Sequence, residues 1–176
     1  MNFEEIARNR QSCRKFSADN EVEHDKIISI LNTANLAPSA CNSQPYKLTV
    51  CSGEKAIHIA NEVQGMGLNK FAVDVPVFIV ISEAPYNSSA ALGAKLKNND
   101  YRLIDIGIIT AYITAQATDL GLGSCILGWF NDKNIRKICS LDTAVRLVIA
   151  IGYPEENYPL RNKKRKALEE LVNFQY

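Results

Sequence analysis

Ile27, Ile30, Leu31 and Ala34 recur at the spacing of one buried helix face and predict a helix over Glu23–Leu36. Pro38 should close it, because a residue before proline avoids the helical region. Asn2 followed by Glu5 is a capping-box start for a shorter helix, Phe3–Asn9. Val75–Ile81 is apolar at every position and Val145–Ile151 nearly so, as in strands covered on both faces. Tyr46–Cys51 predicts a third strand and Ser124–Leu127 a short fourth one. Leu103–Leu120 predicts a long helix that is apolar almost all round, which suits a core element or a subunit interface. Gly121 and Gly123 suit its C-terminal stop. Weaker helical patterns cover Glu54–Gln64, Ser88–Leu96 and a stretch from the cap residue Asn131 to Cys139. Helical and extended stretches alternate irregularly, with no repeat and no long linker. The expectation is one α+β domain spanning residues 1–176.

Two stretches break this pattern by being basic rather than amphipathic. Arg8–Phe16 holds four cations and Ser12, with Arg10, Ser12 and Arg14 at every second position. In an extended segment these three side chains fall on one side. Two guanidinium forks and a hydroxyl together suit a compact dianion such as a phosphate monoester. Near the other end, Arg161–Lys166 is a second basic run in which Lys163 and Arg165 alternate. Taken singly, each run reads first as a solvated charged surface.

Composition narrows what such runs could serve. The net charge is +1 over 176 residues, so any anion site must be local rather than a global field. The second run lacks interleaved aromatics, which argues against nucleic acid. No apolar stretch is long enough to span a membrane, and the acidic start has no apolar leader. Five cysteines without a CxxC pair suggest reduced thiols in the cytoplasm, with Cys41 most simply a buried or half-buried inert thiol. His24 and His58, both expected on surface helices, are the only histidines, which disfavours zinc and triad chemistry. There is no phosphate-binding GxxxxGK[ST], and neither Gly65-Met66-Gly67 nor Gly121-Leu122-Gly123 completes GxGxxG.

Six stretches, in order along the chain, resemble the FMN-dependent nitroreductase family. They are Arg10-Gln11-Ser12-Cys13-Arg14-Lys15-Phe16, the loop Pro38-Ser39-Ala40-Cys41-Asn42-Ser43-Gln44-Pro45, Asp105-Ile106-Gly107, the glycine-rich Gly121–Gly128, Ile151-Gly152-Tyr153-Pro154, and Lys163–Val172. The resemblance implies a central, mostly antiparallel sheet flanked by helices, in a homodimer with FMN at the subunit interface. It implies that Arg10, Ser12, Arg14, Lys163 and Arg165 hold the FMN phosphate, with a C-terminal tail, residues 155–176, closing the site. Pro38, Ser39, Ala40, Asn42 and Gln44 would line the ribityl and ring region, partly from the partner subunit. Ile126, Leu127 and Gly128 would lie along the isoalloxazine, presenting main-chain N–H groups, and Asn69 would reach the ring. The activity implied is ping-pong transfer from NADH or NADPH through flavin N5 to a small acceptor such as a quinone, nitroaromatic or free flavin. A non-enzymatic flavin binder and a flavin-fragmenting or dehalogenating relative are the alternatives. FMN would carry the chemistry, so no catalytic side chain is expected.

Overall fold

A computed structural model describes residues 1–176. Four antiparallel strands, β1 (Tyr46–Ser52), β2 (Val77–Glu83), β3 (Gly123–Leu127) and β4 (Val145–Gly152), form one sheet in the order β1-β2-β4-β3. The helices are α1 (Phe3–Asn9), α2 (His24–Ala34), α3 (Glu54–Glu62), α4 (Ser88–Lys97), α5 (Arg102–Asp119), α6 (Asp132–Cys139) and α7 (Leu168–Leu171).

The uniformly apolar run becomes the central strand because both of its faces are covered. Val77, Ile79 and Ile81 of β2 point toward α2 and α5, meeting Ile27, Ile30, Ile109 and Ile113. Phe78 and Val80 point the other way, toward Ala56 and Ile59 of α3 and Ile135 of α6. Strand pairing begins at Val77 rather than Val75. Pro76 has no N–H to give the ladder, so the strand starts after it. The helix expected to reach Leu36 stops at Ala34, followed by a tighter turn in which Leu36 N–H donates to Thr33.

The long helix buries one face and leaves the other open. Ile106, Ile109 and Ile113 are within 1 % of full burial, whereas Leu103 and Ile104 are more than half exposed. No helix is long and apolar enough to cross a membrane. Helix α5 ends in a Schellman arrangement: Gly121 has φ +77°, its N–H donates to Thr118, and the Leu122 N–H donates to Ala117. Gly121 therefore makes the stop alone. Gly123 serves a different purpose, because a Cβ there would sit 2.9 Å from the Cys13 side chain.

That close approach positions the site. The basic N-terminal stretch runs along the outer edge of β3, with Ser12 bridged in parallel to Ser124 and the Cys13 N–H donating to Ser124 O at 2.8 Å. Further along, Phe16 bridges Pro154 and packs where Gly152 lacks a side chain. Glycines at both contacts let an extended segment lie directly against the sheet.

Candidate anion and cofactor site

The two ends of the chain meet on this edge. Gln11 is the hinge between them: its amide N–H donates to Pro159 O at 3.0 Å, and its Oε1 accepts from the Arg161 N–H at 3.0 Å. The Arg14 N–H donates to the Tyr158 hydroxyl, and Lys15 pairs with Glu155 at 3.1 Å. The Arg161 guanidinium donates to Ser12 O, and the Lys163 ammonium to Arg8 O.

These contacts bring Arg10, Ser12, Arg14, Lys163 and Arg165 to the wall of one pocket of about 330 Å3, together with Gln11, Arg161, Asn162 and Lys164. No apolar and no acidic residue lines it. Its six cations take part in none of the molecule's ion pairs. Burial, then Arg10 and Arg165, lower the Lys163 pKa from its usual 10.5. Beneath the pocket, burial raises the Cys125 thiol, while Arg14 and Arg161 pull it back. Like charges held together without counter-ions repel one another, and an anion between them removes that cost. Arg161 was not singled out from sequence. Its signal was membership of the same basic run, which lines the pocket continuously from Arg161 to Arg165 and not only at alternate residues.

A second pocket of about 370 Å3 shares Arg10 with the first. It lies between Phe3, Ile6 and Ala7 of α1, Gly107, Thr110 and Ala111 of α5, and Ile126 of β3. Six of its ten lining residues are hydrophobic, so a polar and an apolar pocket adjoin at Arg10. Strand alternation decides what β3 offers here. Ile126 is exposed outward, whereas Leu127 is 4 % exposed and packs in the core. Only the main chain of Leu127 remains for a ligand, and Gly128 is exposed beside it.

The loop Pro38–Pro45 is held in a shape that few residues adopt. Cys41, Asn42 and Gln44 have φ of 50°, 50° and 46°, in the left-handed region. Side chains compensate: Ser39 Oγ accepts from the Gln44 N–H at 2.9 Å, and Asn87 bonds to Ser43 Oγ and Cys41 O. Asp105, only 3 % exposed, accepts the Ala40 N–H at 3.1 Å and leaves Oδ2 without a partner. Sequence reading gave Asp105 no task beyond a motif match; here it fixes the loop to α5. Asn42 and Gln44 are exposed and bonded to each other. Cys41 is exposed, contrary to the expectation of a buried thiol, because the left-handed turn directs it outward.

Within one chain this loop lines neither pocket. Asn69 also stands apart: its amide donates to Val63 O at 2.9 Å and its φ of 54° opens a 3-10 turn. His24 and His58 lie on exposed helix surfaces, as expected.

Comparison with known proteins places these features in one group. A protein from Methanothermobacter thermautotrophicus, provisionally named NADH dehydrogenase/NAD(P)H nitroreductase, is 29% identical over 163 residues, covering 89% of this chain and 80% of its own. An iodotyrosine deiodinase from Thermotoga neapolitana is 25% identical, covering 88% of this chain and 90% of its own. An FMN-dependent nitroreductase structure from Clostridium difficile R20291 superposes with a TM-score of 0.75 at 29% identity, over 97% of this chain and 98% of that one. The sequence profile of the nitroreductase family matches residues 7–153, from just before the basic stretch to the turn that Phe16 packs against. The sheet, the edge-bound basic segment and this match together place the chain in the nitroreductase family.

Proposed function

We propose that the chain is an FMN-dependent NAD(P)H oxidoreductase, acting as a homodimer on a small acceptor of the quinone, nitroaromatic or flavin type. The observation that carries this reading is a pocket of unpaired cations that shares Arg10 with an apolar pocket. FMN has that polarity: a dianionic phosphate at one end and a flat, mostly apolar ring at the other. Arg10, Ser12, Arg14, Lys163 and Arg165 hold the phosphate, and the tail 155–176 closes over it. Each charge-assisted hydrogen bond is worth about 1.5–3 kcal/mol.

The other residues orient and shield. The main chain of Ile126, Leu127 and Gly128 presents N–H groups to the ring edge, where they stabilise negative charge. Pro38, Ser39, Ala40, Asn42 and Gln44 reach the ring and ribityl chain of the partner subunit's site, which accounts for their lining neither of these two pockets in their own chain. Asn69 is a weaker candidate, since its amide is already engaged. Exposed Leu103 and Ile104 on α5, with Leu168, Leu171 and Phe174 in the tail, supply apolar surface for the subunit contact. Bound FMN supplies the two-electron relay, being reduced by NADH or NADPH and reoxidised by the acceptor.

Mixing the purified protein anaerobically with FMN and either nicotinamide should bleach the flavin, and menadione should restore its colour. Flavin that stays oxidised with both donors would refute the reading. Similarity to an iodotyrosine deiodinase over almost the same share of the chain favours one second reading, reductive dehalogenation. Iodide release from iodotyrosine by the reduced protein, with no turnover of menadione, would select it.

A further inference from the structure

Away from this site, two thiols face each other between the sheet and its outer helical layer. Cys51 is the penultimate residue of β1 and is 1% exposed. Cys139 is the last residue of α6 and is half-buried. Their sulfurs lie 3.6 Å apart, although 88 residues separate them in sequence. No other pair of sulfurs lies within hydrogen-bonding reach. Cys13 donates its thiol proton to Lys15 O, Cys125 is buried beneath the basic edge segment, and Cys41 is exposed in the site loop.

The two sulfurs are unequal. Burial, and then Cys139 itself, push the Cys51 thiol up to about 12, so it stays protonated near neutrality. Cys139, half-buried, is the more accessible of the two and is the sulfur that an oxidant reaches first. Both lie near the ends of their elements, Cys51 one pair from the end of the β1–β2 ladder. Cys51 is followed by Ser52 and by Gly53, which has φ +56° and open space around it. Cys139 is followed by Ser140, the left-handed C-cap of α6. Closing from 3.6 Å to the roughly 2.05 Å of a disulfide therefore asks these ends to move while the core strands stay in place.

We propose that Cys51 and Cys139 form a peroxide-oxidisable dithiol that closes to an intramolecular disulfide, tethering the end of α6 to the end of β1. The Cys139 thiolate attacks one oxygen of hydrogen peroxide; the O–O bond breaks, giving a sulfenic acid and hydroxide, which leaves as water after taking up a proton. The Cys51 sulfur then attacks the Cys139 sulfur. The S–S bond forms, the S–O bond breaks, and the Cys51 proton leaves with the hydroxyl as a second water. The two sulfurs together lose two electrons and the peroxide gains them. The tether would close a loop holding α3, β2, α4, α5, β3 and α6, restricting the unfolded chain and stabilising the fold.

The test uses the full chain with Cys41→Ser, which leaves four thiols. After peroxide treatment, unfolding and alkylation, the proposal expects two of those four to be blocked, a peptide joining Cys51 to Cys139, and recovery of all four with dithiothreitol. It also expects the melting temperature to rise by about 5 °C or more and to return on reduction. Adding Cys51→Ala should leave Cys139 trapped as a sulfenic acid that dimedone labels. Four alkylatable thiols after a dose that oxidises free cysteine would overturn the proposal. So would a sulfinic acid at Cys139 without a bridge to Cys51 in the chain that retains both.

Discussion

Two arginine-rich regions of this molecule are built from the same chemistry and reach opposite states. At the start of α5, Arg102 pairs with Asp100 at 2.8 Å and with Glu83 at 3.2 Å, while Arg146 meets Glu83 at 2.5 Å. Tyr86 completes the cluster, donating to Asp100 and lying beneath the Arg102 guanidinium. Every charge there has its opposite within reach. At the β3 edge, six cations share a pocket with no carboxylate at all. The first region uses its charges to hold its own chain together. The second has its main-chain contacts satisfied but leaves the charges over, the state that the proposed phosphate binding would use.

The sharpest way to break this comparison is to remove cations from the unpaired region. Arg10→Ala with Arg14→Ala should weaken FMN binding at least about 100-fold, from two lost charge-assisted bonds of about 1.5–3 kcal/mol each. The melting temperature without flavin should hold or rise, because repulsion is relieved. Flavin fluorescence titration and a thermal melt check the two halves separately. The paired region should respond the other way round. Arg102→Ala should cost about 1–2 kcal/mol of stability by denaturant titration, a figure discounted for the side chain's partial exposure. FMN affinity should change less than about threefold, since Arg102 lines neither site pocket.

Much of this was legible in the sequence, and what was not shares a cause. The capping box of Asn2 and Glu5, the cap at Asn131 and the doubly covered β2 follow from local spacing, and all three are present. The 3-10 segments Gly65–Gly67 and Lys70–Asp74 and the left-handed Cys41, Asn42 and Gln44 carry no periodic signal. The left-handed loop depends on distant partners, Asn87 and Asp105, and the 3-10 segments on the Asn69 amide bonded to Val63 O. The clamp was legible only as two separate charge runs. That Gly123 lets Cys13 reach the sheet, and that Gln11 ties the N-terminal stretch to residues 159 and 161, are facts of tertiary contact. Exposure of Cys41 was misjudged for the same reason.

Titration sharpens the contrast further, because each region should respond at its own end of the pH scale. Hydrogen bonding to Arg102 holds the Asp100 carboxyl well below its usual 3.8. Its stabilising contribution is therefore present above that value and is lost as pH falls toward the folded-state pKa. Denaturant titrations across the acid range should show this loss in the wild type, and a flatter acid limb in Asp100→Asn. In the clamp, burial and neighbouring arginines depress Lys163, so it begins to lose its proton below the usual 10.5. A bound dianion favours the charged ammonium. FMN affinity should accordingly start to fall on the alkaline side before pH 10.5, and Lys163→Met should weaken binding while removing much of that fall.

The central claim is that the unpaired cations exist to be neutralised by a phosphate, and riboflavin tests it by keeping the ring and ribityl chain while lacking that group. Paired fluorescence titrations of the apoprotein should give an affinity for FMN at least about 100-fold tighter than for riboflavin, with the gap shrinking as salt is added. Equal affinities for the two flavins would contradict the account.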